Sequence, residues 1–135
     1  MDFKAHCYSK TTDKIIVCKE RKRKIVFYNN NEREVEKIKV DGCQITEGER
    51  CDYLVHFHLY QNFIELKGED IPRAIEQLKA SMQQLKQRGR RIKCYIISSR
   101  SPLSSAAIQK IQLQFYKRYQ AELKIKNQII KVEID

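Results

Sequence analysis

Residues 51–58 and 61–67 are two runs of strand-forming residues separated only by Leu59 and Tyr60, and a helix and a further strand follow them directly. So short a connection joins antiparallel neighbours. Gly68 ends the second run, Asp70 is placed to cap a helix, and Pro72 suits its first turn. Ile71, Ala74, Ile75, Leu78, Met82 and Leu85 then recur at helical spacing until the pattern stops near Gly89. Lys93-Cys-Tyr-Ile-Ile97 is the continuous apolar run of a strand covered on both faces. The passage from 61 to 97 therefore predicts a right-handed crossover within a mixed sheet.

The flanking segments fit an α/β protein built on that strand-strand-helix-strand core. Residues 14–18 and 24–28 read as an N-terminal hairpin around the charged turn Glu20-Arg-Lys-Arg23, and residues 34–40 alternate as a third strand, with a short helix over 31–38 as the competitor. Ser101-Pro102 is placed to open a second helix, whose Ile108, Ile111, Phe115 and Tyr119 face the sheet. Residues 121–125 and 129–134 suggest a C-terminal hairpin around Lys126-Asn127-Gln128. With no internal repeat and no Gly/Ser/Pro linker, residues 1–135 are expected to form a single domain: a central mixed sheet flanked by helices, with a hairpin at each end.

Composition narrows the function classes. In 135 residues, 41% are hydrophobic and 33% charged, and no apolar run approaches the roughly 18 residues of a membrane span. The first residues lack the apolar stretch of a secretory leader, so the cytoplasm is the expected compartment and no membrane partner is expected. A net charge of +10 creates a field that attracts polyanions. Nucleic acid, DNA first, is the expected partner, although a lysine-rich surface has the same charge without any partner; a homodimer is compatible with the chain. The five cysteines (Cys7, Cys18, Cys43, Cys51 and Cys94) form no CxxC pair and no zinc-type spacing with histidine, so five free thiols are expected.

Pairing His58 with Gln61 across the central turn sorts the two strands into two faces. Tyr53, Val55, Phe57, Ile64 and Leu66 make one apolar face. Asp52, Leu54, His56, Phe63, Glu65 and Lys67 share the other, with Asp52 across from Lys67 and diagonal to Glu65. Two carboxylates and a lysine converge.

Cys51-Asp52-Tyr53-Leu54-Val55, then Phe63-Ile64-Glu65-Leu66-Lys67-Gly68, then a helix, resembles the PD-(D/E)XK nuclease superfamily, which has the restriction-endonuclease-like fold. The resemblance covers about residues 50–97. It implies a metal-dependent deoxyribonuclease in which Asp52, Glu65 and the Leu66 carbonyl hold Mg²⁺ or Mn²⁺ and Lys67 steadies the attacking water or the phosphate. Some branches add a helical Gln, for which Gln77 is the candidate, and many add an early acidic residue, for which Glu34 and Glu36 are candidates. The chemistry suits these residue types, because a hard divalent ion takes oxygen ligands and activates water while neutralising charge on the phosphoryl oxygens.

The tripeptide by itself is weak evidence, since Glu20-Arg21-Lys22 and Glu122-Leu123-Lys124 also fit it; only Glu65-Leu66-Lys67 follows an Asp-bearing strand and precedes a helix. An ordinary cross-strand ion pair is the competing explanation. Elsewhere, His56 and His58 form a His-x-His pair without a third ligand, and Ser98-Ser99-Arg100-Ser101 can hold phosphate or merely cap a helix. Arg88, Arg90, Arg91, Lys110, Lys117 and Arg118 are able to track a nucleic-acid backbone, although each alone reads as solvated surface. The rival functions are a non-catalytic nucleic-acid-binding or assembly subunit with a nuclease-like fold, and a plain interaction protein.

Overall fold

The computed structural model describes residues 3–66, 70–99 and 103–135. Among them are nine strands: β1 (Tyr8–Thr11), β2 (Ile15–Glu20), β3 (Arg23–Tyr28), β4 (Val35–Lys39), β5 (Tyr53–Phe57), β6 (Tyr60–Glu65), β7 (Arg91–Ser98), β8 (Glu122–Asn127) and β9 (Ile129–Glu133). Two α-helices, α1 (Ile71–Leu85) and α2 (Ser105–Tyr119), and a 3-10 turn (Ala5–Cys7) complete them. Six strands form a mixed sheet in the order β1-β4-β5-β6-β7-β8, and β2-β3-β9 form a second, smaller sheet.

The layers follow from side-chain alternation in the central strands. Leu54, Phe63, Cys94, Ile96, Leu123 and Ile125 point to one side and pack with Leu78 and Met82 of α1 and Phe115 of α2. Val55, Phe57, Ile64, Tyr95 and Ile97 point to the other, against Ile16, Cys18, Ile25, Phe27 and Ile130 of the small sheet. The product is a helix layer, a six-stranded sheet and a three-stranded sheet, so that the helices lie on one face of the large sheet rather than on both. Asp70 caps α1, its carboxylate accepting from the Arg73 N–H at 3.2 Å, and Pro72 sits in the first turn. β6 and β7 are parallel neighbours joined through α1.

Four expectations are corrected. The central hairpin turns at His58 and Leu59, with Phe57 opposite Tyr60, so its register differs by two residues from the one inferred; Tyr53 lies across from Ile64, and the Asp52 N–H reaches the same Ile64 carbonyl. A shift of two preserves the faces, which is why the sorting of side chains survives.

The C-terminal hairpin does not form. β8 pairs in parallel with β7 in the large sheet, and β9 pairs in parallel with β3 in the small one. Gln128 makes the transfer at φ 61°: its N–H donates to the Ser98 carbonyl at 2.8 Å while its own carbonyl accepts from the Lys24 N–H at 2.9 Å. Leu123 and Ile125 belong to the helix-side core and Ile130 and Ile134 to the inter-sheet core, and a hairpin would have put one of these pairs in water. The second helix starts later than expected, at Ser105, capped by Ser104, whose Oγ accepts from the Ala107 N–H. Arg100, Ser101 and Pro102 lie outside the described residues.

The fourth correction concerns the cysteines. Cys7 and Cys43 are joined by a disulfide, and only Cys18, Cys51 and Cys94 are free. Burial pushes the Cys18 and Cys51 thiols up to about 12 and that of Cys94 well above its ordinary value, so all three are unreactive in the fold. Alkylation of the native protein should therefore label none of these three, and alkylation after unfolding should label three without reductant and five with it. Five labelled thiols in the air-oxidised, chelator-treated and unfolded chain would contradict the bond.

Candidate functional site

The carboxyl end of β6, the residue preceding β5 and the first turns of α1 meet around a cleft of about 340 Å³. Asp52 and Glu65 form its floor at 5% and 1% exposure. Asp52 is held beside the end of β6 because β5 and β6 are antiparallel and the Asp52 N–H donates to the Ile64 carbonyl, one residue before Glu65, at 2.9 Å. The Leu66 N–H donates to Asp52 Oδ2 at 2.7 Å and fixes that carboxylate toward the end of β6. Ser81 of α1 accepts from the Cys51 N–H at 2.8 Å, anchoring the start of the Asp52 strand to the helix.

Gln77 and Arg73 of α1 form one wall of the cleft with Asp70, and Asp41, Glu49 and Arg50 form another. Asp52, Glu65 and Gln77 are thus brought together. Lys67 lies outside the described residues. Asp41 is the acidic residue that sequence reading missed. It follows β4, whose pairing with β5 carries the chain alongside Asp52, and the Asp52 carbonyl accepts from the Val40 N–H at 2.9 Å. Glu34 and Glu36 are not brought to the cleft. Glu34 pairs with Lys10 at 3.3 Å, and Glu36 lies across from His56, four residues and roughly 13 Å further along the strand pair.

The cleft has the opposite sign to the molecule. Five carboxylates (Asp41, Glu49, Asp52, Glu65 and Asp70) face two arginines there, whereas the chain as a whole is +10. Both arginines are engaged with wall residues: Arg50 Nε donates to Asp41 Oδ1 at 2.7 Å, and Arg73 lies 4.0 Å from Glu49. Asp41 and Asp52 also border a second, adjacent cleft with Lys19 and Lys39, so cations stand on its far side. A site of this kind draws in a small cation while its margins attract an anion.

The two histidines separate. His58 sits at φ 52° in the turn, exposed, with Nε2 2.9 Å from the Asp135 carbonyl. His56 is buried between Gln61, Glu36 and the ring of Phe3. No metal pair results. Ser98 is buried and its hydroxyl donates to the Lys126 carbonyl at 3.4 Å, while Arg88, Arg90 and Arg91 follow the carboxyl end of α1, which itself lies eight residues, roughly 12 Å of helix, beyond Gln77. Compared with protein-family models, curated proteins and solved structures, the chain matches none.

Proposed function

We propose that this protein is a divalent-metal-dependent nuclease that hydrolyses phosphodiester bonds in DNA, working as the PD-(D/E)XK superfamily does. The observation that carries the reading is the pair of buried carboxylates, Asp52 and Glu65, lining one acidic cleft in a basic protein. Two buried carboxylates lining one cleft suit a cation, which offsets the cost of their burial.

The donor set fits Mg²⁺ or Mn²⁺, since it consists of carboxylate oxygens with the Leu66 carbonyl beside them. Asp52 and Glu65 are the protein ligands in this proposal, and Asp41 is the third acidic residue, either on the ion or through one of its waters. Such an ion, when bound, lowers the pKa of a coordinated water and offsets charge on the phosphoryl oxygens. The Leu66 N–H holds the Asp52 carboxylate in position, Lys67 steadies the water or the phosphate, and Gln77 orients the group that approaches from α1. Lys19, Lys39 and Arg73 supply the positive margin that guides a phosphate to the cleft. The cytoplasm is the proposed compartment. No helix among the described residues is long and apolar enough to cross a membrane.

Incubation with a mixture of supercoiled, linear duplex, branched and single-stranded DNA, with Mn²⁺ or with a chelator, tests the proposal. Cleavage in Mn²⁺ and none in chelator is expected. Binding without cleavage under both conditions would replace the enzyme with a binding subunit.

A further inference from the structure

A second group of ligating side chains lies outside the acidic cleft. His6, Cys7 and Cys43 present a ring nitrogen and two sulfurs that all lie within 4.8 Å of one another. We infer that the reduced form of this group is a soft-metal site taking Zn²⁺, so that the Cys7–Cys43 disulfide and the bound ion are alternative states of the same three residues. The inference does not depend on the nuclease reading.

Three observations support it. First, a disulfide by itself needs no imidazole, yet His6 brings a nitrogen to both sulfurs. One imidazole and two thiolates are a borderline-soft donor set, unlike the all-oxygen cleft, and suit Zn²⁺ with water in a fourth position. The exposure of His6 leaves room for that water.

Second, the ligands are held in place by contacts that reduction does not remove. Cys7 immediately precedes β1, whose Tyr8 pairs with Ile38 of β4, and Cys43 follows β4 by four residues. Lys4 ties the two segments again: its backbone N–H donates to Gln44 Oε1 at 2.9 Å, its ammonium to the Cys43 carbonyl at 3.1 Å, and its carbonyl accepts from the Cys7 N–H at 2.9 Å. The turn carrying Cys43 is closed by its own N–H donating to the Val40 carbonyl at 3.2 Å. Tetrahedral zinc, with Zn–S of about 2.3 Å, holds two sulfurs about 3.8 Å apart, which asks for a small separation rather than a rearrangement.

Third, the remaining thiols cannot compete. Cys18, Cys51 and Cys94 are buried and their pKa values are raised. In a reducing compartment the dithiol form is the one to expect.

The chemistry balances with a cellular dithiol as reductant. Its two electrons and two protons pass to Cys7 and Cys43, it leaves as a disulfide, and Zn²⁺ then displaces both thiol protons to solvent.

The test uses the full chain, reduced and freed of reductant without oxygen, titrated with Co²⁺ as a spectroscopic probe and then with Zn²⁺. The expected result is one equivalent of Co²⁺ with a thiolate-to-cobalt charge-transfer band that Zn²⁺ abolishes, and no such band in the oxidised protein. Cys43→Ser should lose the band, and His6→Ala, an exposed position whose change leaves the fold intact, should weaken Zn²⁺ at least about tenfold, by loss of one of three ligands. On exposure to air the zinc-loaded chain should keep five titratable thiols while the metal-free chain falls back to three. A reduced wild type without the band, or an unchanged band in Cys43→Ser, would overturn the inference.

Discussion

Glu65→Gln and Asp52→Asn should each lower Mn²⁺-dependent cleavage by on the order of a thousandfold, about 4 kcal/mol of transition-state stabilisation, while the melting temperature stays the same or rises. The two effects separate because both residues are buried. Both carboxylates have left water, at 5% and 1% exposure, and burying a carboxylate is costly. A neutral amide of the same shape costs less to bury. Asn at position 52 still offers an oxygen to the Leu66 N–H, so the local backbone keeps its partner. What an amide lacks is the charge that binds a hard cation. A purely structural pair would behave the other way, losing stability with the substitution and having no cleavage to lose. Glu122→Ala, at the look-alike tripeptide on β8, is the control and should be nearly silent, because Glu122 is exposed and its ion pair with Lys93, at 3.9 Å, is a surface one.

The second large effect is on stability in acid. His56 is pushed down to about 4, by burial first and by Arg90 second, with Glu36 opposing. Its surroundings show why. Gln61 Nε2, which also donates to the Leu85 carbonyl at 3.0 Å, lies 3.0 Å from His56 Nε2, and Gln61 Oε1 is taken by the Gln87 N–H at 2.9 Å. His56 Nε2 is therefore an acceptor and the ring is neutral, with its proton on Nδ1, 3.4 Å from Glu36.

In the unfolded chain the same imidazole takes up a proton near pH 6.5. Between pH 6.5 and 4 the unfolded state binds more protons than the fold, so stability falls as pH falls across that interval. Burial works to raise Glu36, but the Tyr8 hydroxyl, His56 and Arg90 outweigh it and leave its carboxyl below the ordinary value. Its contribution is present above that value and is lost as pH drops through the lowered one, so it acts in the same direction. Urea unfolding at pH 7 and pH 4.5 should differ by about 2 to 3 kcal/mol, and His56→Leu should flatten the dependence. Equal stability at the two pH values, or an unchanged slope in His56→Leu, would show that the ring is not held neutral.

What was legible in the sequence had local causes. The α1 stripe, its Asp70 cap and Pro72 are short-range signals, and the 15-residue helix lies where they place it. The faces of β5 and β6 follow from an alternation that a two-residue register shift leaves intact, so Leu54 and Phe63 share the helix side and Val55 and Ile64 the small-sheet side as expected. The rest depended on long-range partners. Residues 121–134 carry two strand-like runs around three polar residues, the pattern of a hairpin, and nothing local tells that β8 seeks β7 and β9 seeks β3. Asp41 was missed for the same reason, because the β4–β5 pairing spans a long irregular connection with no turn signature to fix its register. The Cys7–Cys43 bond, 36 residues apart, becomes visible only once β1 is known to lie beside β4.

Titration with Mn²⁺, followed by the loss of its free-ion electron paramagnetic resonance signal, tests most directly whether Asp52 and Glu65 form a metal centre. Wild-type protein should take up the ion at neutral pH in the absence of DNA, Asp52→Asn and Glu65→Gln should fail to do so while melting like the wild type, Asp41→Asn should bind more weakly, and Glu122→Ala should bind normally. Uptake that is the same in the wild type and in Glu65→Gln, or no uptake by the wild type at all, would contradict the metal centre.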